Sequence, residues 1–417
     1  MKRCLMFLAV MALLVMLTAT AVAEEVTISY VCWDYSVVPE KQEAVAAFQE
    51  KYPDIKVEVI DVSAADYTDK LTIMLSAGQD VDIISIKDMP TYSAYIERNW
   101  LEPLNAYVES DVDFDPAVFS GLMDEIKVDG NYYGVPYRSD VWLLFYNKGL
   151  FDQAGVPYPT NDITWEEFAE KARLISSGSG AERIYGAFIH TWKSLAMNLG
   201  VQTGEYTLVD GKYDFLKPAY ELYLKMMYED ESVMTFGEAV TSSAHYATQF
   251  ESDRVGMIYM GSWNIGRMIS DAKAGVHDID WGMVKSPHWP GQEAGVTIGN
   301  VTPLAINANS DKKDAAWKFV KFFSQEEGAK IFARNGILPA LINDATLEVY
   351  TSSEGFPENA MEALDAHTVY LEFPPHPQGR AIDKILQEEH ELIMIKDKTI
   401  EEGIADMERR VQEAKEW

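Results

Sequence analysis

Four short stretches set indole or phenol rings beside charged or amide side chains where strands or turns end. They are Trp33-Asp34-Tyr35, Arg138–Trp142, His190-Thr191-Trp192 and Gly261-Ser262-Trp263-Asn264. Aromatic rings offer a flat apolar surface with little rotamer freedom to lose, and the C–H faces of a pyranose lie well on it. Carboxylates, guanidinium groups and amides then take up the hydroxyls around the ring edge through charge-assisted hydrogen bonds. A sugar buried without them leaves hydroxyls unpaired at about 1–3 kcal/mol each. The candidate ligand-binding residues are therefore Trp33, Asp34, Tyr35, Asp88, Arg138, Asp140, His190, Trp192, Trp263, Asn300 and Arg380. Several also fit plainer roles. Trp33 and Trp142 suit a core, Asp34 and Asp88 suit helix caps, and Arg138 and Asp140 could simply pair with each other. A lone His190 can satisfy a backbone group.

Signatures of catalysis are missing. The chain has no H-E-x-x-H, no G-x-S-x-G and no G-x-x-x-x-G-K-[ST]. His288 and His376 stand near prolines without the spaced partners of a metal site, and nothing calls for a cofactor. Carboxylates are plentiful, so a glycosidase pair stays open, since its spacing in space is not readable from one sequence.

The elements that must position these residues follow from periodicity. Val26–Trp33 alternates as a strand, Pro39–Tyr52 reads as a helix, and Ile55, Val57 and Val59 alternate again. Tyr67–Ala77 is helical and Val81–Ile86 is an apolar strand. This β-α-β-α-β order predicts a parallel sheet with helices on its faces and ligands beyond the carboxyl ends of the strands. Those ends carry Trp33–Tyr35 and Lys87-Asp88. Asn131–Leu150 then reads as a first crossing between two lobes, with Arg138 and Asp140 facing the cleft. Pro136 argues against a central strand position there. A second crossing falls around Ile298–Val301, beside Asn300, and Phe356-Pro357 and Phe373–Pro377 punctuate a third passage.

Length and composition agree with two lobes: 417 residues exceed one core, and 47% apolar content excludes wholesale disorder. The formal charge of −31 opposes nucleic acid and anionic membrane surfaces alike. Lys2-Arg3, the apolar run Leu5–Leu17 and Ala21-Val22-Ala23 predict a signal peptide over residues 1–23. Its loss removes Cys4, leaving Cys32 alone, so no intramolecular disulfide and no lipid-bearing N-terminal cysteine is expected. An exported, unlipidated, periplasmic or secreted monomer is the expectation.

Several stretches together resemble the family 1 (maltose/oligosaccharide) solute-binding proteins of ABC importers. They include Tyr52-Pro53-x-Ile55-x-Val57, Leu75-Ser76-Ala77-Gly78, Tyr133-Gly134-Val135-Pro136-Tyr137 and Phe145-Tyr146-Asn147-Lys148. Thr164-Trp165-Glu166-Glu167-Phe168, Gly261-Ser262-Trp263 and Lys313–Phe319 continue them in the family's order. The resemblance implies a type II periplasmic-binding-protein fold, with two α/β lobes joined by two or three crossing strands. Residues 24–137 plus about 300–350 would form one lobe, and 138–299 plus about 351–417 the other. It further implies closure on a sugar and delivery to a membrane permease, without chemistry. The alternatives from the residues are a secreted carbohydrate-active enzyme and a receptor for a charged solute, a sugar acid or polyamine. In relatives, aromatic residues after the first strand and at the Gly-x-Trp turn contact ligand, as does an acid past the first crossing. Trp33–Tyr35, Trp263 and Asp140 hold those positions here. Near Phe373–Arg380, where relatives add an aromatic contact, this chain has Pro374-Pro375-His376 instead.

Overall fold

The computed structural model describes residues 25–415, apart from Ser120 and Ser353. The expected signal peptide lies outside the described residues. Strand β1 (Val26–Trp33) pairs in parallel with β2 (Ile55–Val62) and with β3 (Ile83–Ser85). The connecting helices are α1 (Pro39–Lys51) and α2 (Tyr67–Ser76). Pro39 begins α1 where its missing N–H costs nothing, and Phe48 lies buried on its inner face. Helix α3 (Met89–Glu97) follows β3; Asp88 caps it by accepting from the Thr91 N–H at 2.7 Å.

Strand β4 (Val135–Asn147) is the long member that joins the lobes. Its first half pairs antiparallel with β7 (Val296–Ile306), and its second half pairs with β5 (Met257–Gly261) and β6 (Trp281–Lys285). Contrary to the expectation from Pro136, this residue lies within β4. It sits opposite Pro303, where the register shifts between Pro136 and Arg138. Two prolines facing each other need no ladder donors, and the shift absorbs the irregularity.

The second lobe carries α4 (Trp165–Ile175), α5 (Ser194–Val201) and α6 (Trp263–Lys273). Helix α4 opens on a capping box, with the Glu167 N–H bonded to Thr164 Oγ1 and the Thr164 N–H bonded to Glu167. The chain returns through β7 to the first lobe, adding α7 (Lys313–Ser324) and α8 (Glu326–Arg334). It crosses a third time beside β4, where the Ser139 N–H bonds to Leu338 O and the Ala340 N–H to Tyr137 O, both at 3.2 Å. Leu341 still belongs to the first lobe's core, and Tyr350 is fully buried in the second. The third crossing thus lies ahead of Phe356-Pro357 and Phe373–Pro377. Strand β8 (Thr368–Leu371) pairs with β7, and α9 (Gly379–Met394) and α10 (Ile400–Lys415) close the second lobe.

Separate cores stabilise the two lobes. In the first, Tyr30, Phe319 and Phe323 pack ring against ring, with Phe319 and Phe323 stacked at 4.2 Å. In the second, Trp142 and Trp165 both pack on Tyr259 at 5.0 Å. Crossing strands join them, and the start of α9 packs on the start of α3, with Gly379 against Pro90.

Candidate ligand-binding site

Between the lobes lies a cavity of about 900 Å³. The first lobe contributes Lys87, Asp88 and Thr91, from the end of β3 and the start of α3. The second contributes Trp192, Lys193, Glu372 and Arg380. Asn300, on β7 directly across from Asp140, forms part of the floor. Of the residues singled out from the sequence, the cavity therefore gathers Asp88, Trp192, Asn300 and Arg380.

Its charges are set by burial. Burial pushes the Asp88 carboxyl above its ordinary range; the Thr91 hydrogen bond opposes this and the Asp383 carboxylate adds to it. Burial raises Glu372 too, opposed by the Ser194 hydroxyl and Lys193 and reinforced by Asp383. Trp142, whose ring is otherwise core, turns its indole N–H side toward that same carboxylate. Lys193 is neutralised by Asp383 at 2.7 Å. Arg380 has no ion-pair partner among the described residues.

The remaining candidates flank this cavity. Trp33 ends β1 with its ring edge-on to Tyr67 at 5.2 Å, and the Lys41 ammonium stands 4.3 Å above it. Burial draws Lys41 down to about 8, with the Arg138 charge adding to the fall and Cys32, Glu40 and Asp34 opposing it. Asp34 adopts a left-handed φ of 54° and accepts from the Ala64 N–H at 2.9 Å, so it braces a loop instead of capping α1. The Tyr35 N–H is held by Asp61 at 2.8 Å.

Arg138 and Asp140 face each other. Arg138 Nε donates to Asp140 Oδ2 at 2.7 Å, and Ser262 Oγ donates to Asp140 Oδ1 at 3.0 Å. With both oxygens taken and only 2% of the residue exposed, Asp140 is a hinge bridge in this conformation. The expectation that it faces the cleft is corrected accordingly. Arg138 and Asp140 lie two apart on an antiparallel strand whose partner ladder shifts register beside them, so their side chains converge.

His190, Trp192 and Trp263 fall into one aromatic group. Trp192 is 39% exposed and its ring lies 4.3 Å from His190 and 5.8 Å from Tyr246. The Tyr246 hydroxyl faces Trp263, whose ring meets Trp142 edge-on at 5.4 Å. His190 is buried, with its Nδ1 unpartnered; burial, with His245 adding, draws it down to about 4, so it is neutral at ordinary pH. It supports Trp192 from beneath.

Sequence reasoning missed Glu372, Lys193, Asp383 and Tyr246. Glu372 follows β8, a four-residue strand without buried positions whose pattern gives no periodic signal. Tyr246 begins a six-residue helix, and its only visible mark was an aromatic residue beside His245.

Two α/β lobes strung on crossing strands, with an open polar and aromatic cleft between them, define a hinged binding protein. The chain belongs to the bacterial extracellular solute-binding protein family, whose model matches residues 36–330. It is 38% identical to a sugar transporter from Rhizobium etli whose crystal structure is in an open conformation. That match covers 93% of this chain and 99% of that one, with a TM-score of 0.81. An ABC substrate-binding protein from Listeria monocytogenes in complex with cycloalternan shares the fold, at a TM-score of 0.83 and 23% identity, covering 94% of this chain and 100% of that one. The lactose-binding protein of Rhizobium radiobacter is 25% identical over 359 residues, which is 81% of this chain and 80% of that protein. The two-lobe type II fold expected from the sequence is thereby established. Among the described residues no helix is long and apolar enough to cross a membrane.

Proposed function

We propose that this chain is the receptor of an ABC importer, capturing a sugar or oligosaccharide between its lobes and delivering it to the membrane permease. The observation that carries this reading is the composition of the cavity: Lys87 and Asp88 from one lobe, Trp192, Glu372 and Arg380 from the other. A ligand lodged there touches both walls fully only when they approach, so binding shifts the population toward a closed form. The sugars named for its relatives support the ligand class. The protein works outside the cytoplasm, in a periplasm, free of a lipid anchor. It performs no reaction on the ligand.

A thermal-shift screen of mono- and oligosaccharides tests the receptor role, because a ligand selective for the folded state raises the melting temperature. Prolonged incubation with any sugar that binds, followed by chromatography, tests the absence of chemistry. A receptor returns its sugar intact, and cleavage products would make the chain an enzyme.

A further inference from the structure

Resting on the sugar-receptor reading, we propose that the saccharide this cleft takes is an acid, a hexuronate or uronate-ended sugar whose carboxylate is held by Arg380, with Arg98 on the facing wall. The charges of the cavity lead there. Pairing takes up several of them: Lys193 is tied to Asp383 at 2.7 Å, and Glu388 is shared by Lys384 and Arg410. Lys87, Arg98 and Arg380 remain on one side, Asp88 and Glu372 on the other, which leaves a surplus of positive charge. Burial also raises both of those carboxyls, favouring their neutral form and widening the surplus. The chain as a whole carries −31, so a surplus of cations in its cleft runs against the rest of the molecule. Salt screens surface charges beyond about 8 Å, so these local cations decide what the cleft attracts.

The three cations are also uncommitted. Arg380, in the first turn of α9, has no ion pair among the described residues. Arg98, at the end of α3, gives one N–H to Ala94 O at 3.1 Å and lies 5.2 Å from the Trp100 ring. Those contacts fix its guanidinium and leave donors over. Lys87 donates to Ala64 O alone. Both guanidinium charges act on the Tyr95 hydroxyl, which puts them on the same side of α3, one from each lobe. Asp88 acts on that hydroxyl too, but its carboxylate is occupied in capping α3. Like charges that face each other across the seam of α3 and α9 repel, and an anion between them reverses the sign.

A guanidinium fork fits a carboxylate through two parallel hydrogen bonds, and it takes a phosphate as well. The surplus here suits the single charge of a carboxylate. A phosphate would bring about −1.5 to −2 into a space that already holds Asp88 and Glu372. The hydroxyls of the same uronate can reach those two acids.

Calorimetry with matched pairs tests the charge: glucuronate against glucose, galacturonate against galactose, mannuronate against mannose, each as monomer and as dimer, with glucose-6-phosphate as the other anion. In the pair that binds, the acid should bind at least about tenfold tighter than its neutral counterpart, and added NaCl should narrow the gap. Arg380→Gln should lower the acid's affinity at least about tenfold. Arg380→Lys, which keeps the charge and loses the fork, should recover part of that loss, and Arg98→Gln should act in the same direction as Arg380→Gln by a smaller factor. A neutral sugar that binds as tightly as its acid, or a phosphate that binds more tightly than any uronate, would overturn the inference while leaving the receptor reading intact. So would an Arg98→Gln, Arg380→Gln double variant, with a melting temperature near that of the parent, that keeps the acid's full affinity. No binding by any sugar, charged or neutral, would overturn both.

Discussion

The two walls of the cleft are built on different principles. On the first lobe the polar groups are anchored to their own backbone: Asp88 to the Thr91 N–H, Asp34 to the Ala64 N–H, Lys87 to Ala64 O and Lys41 to Trp33 O. On the second lobe the rings are anchored to other rings, through Trp142, Tyr246 and His190. The first wall therefore presents charges that cannot swing away, and the second presents faces that cannot tilt. Stacking on a fixed plate needs no partner lobe, whereas a hydroxyl reaches Asp88 only as the lobes approach. For a sugar receptor, the division predicts initial capture on the second lobe and the sensing of closure on the first.

The largest effect should come from the bridge between the walls. Asp140→Ala leaves Arg138, itself largely enclosed, facing a void at the hinge. Breaking such a pair by removing one partner costs about 3–5 kcal/mol. Urea denaturation should show that loss. A cost near zero would mean that the pair does not hold the hinge. Next comes the second wall: Trp263→Ala should weaken sugar binding at least about tenfold in calorimetry. An unchanged affinity would remove Trp263 from the site.

The first wall should respond more gently. Asn can still cap a helix, so Asp88→Asn keeps α3 while removing the charge. Affinity should fall by a few-fold, about 0.5–1.5 kcal/mol for one hydrogen bond. Small-angle scattering should show less closure at a given degree of saturation. One acid from each wall predicts a pH effect. Asp88 and Glu372 titrate above the ordinary carboxylate range, and ligand hydroxyls prefer their ionised forms. Affinity should thus drop as pH falls through the mildly acid range, and the Asp88→Asn, Glu372→Gln double variant should lose that dependence. For folding the sign reverses. A carboxyl raised in the native state stabilises most below its unfolded value, and that contribution is lost as pH rises through its folded one.

How much of this was legible in the sequence follows from what each feature depends on. The β-α-β-α-β half was readable because alternation, Pro39 and the stops at Pro53 and Gly78 are local signals. Asp88 was readable both as a cap and as a cleft residue, and the structure gives it both positions at once. No local pattern marked the third crossing, and only the resemblance put a lobe boundary at about 350. That crossing is held by backbone bonds at Leu338 and Ala340, which leave no side-chain pattern, while the conspicuous prolines near 357 and 374–377 mark later turns. Asp140 was legible as a charged residue beside an apolar strand. Which way it faced depended on Ser262, 122 residues away, and no spacing rule reaches that far. Trp263 was legible through its Gly-Ser turn, yet the rings that fix it come from β4 and from a short helix with little pattern of its own.

A last prediction isolates one charge on the first lobe. Lys41 is 2% exposed, and its ammonium lies over Trp33 while bonding that residue's carbonyl. Its folded value of about 8 stands below the ordinary 10.5, so between those values the unfolded chain holds the proton more tightly than the native one. Stability should therefore rise with pH across that window, by about 1–2 kcal/mol from this group alone. Buried tyrosines such as Tyr30 and Tyr67, raised in the native state, act against it once unfolded tyrosines begin to ionise near pH 10. The Lys41 signal is cleanest below that, as the difference between the parent and Lys41→Met in urea denaturation from pH 7.5 to about 9.5. A parallel pair of curves would show that the ammonium is better solvated than its burial implies. The first wall would then be softer than the contrast with the second requires.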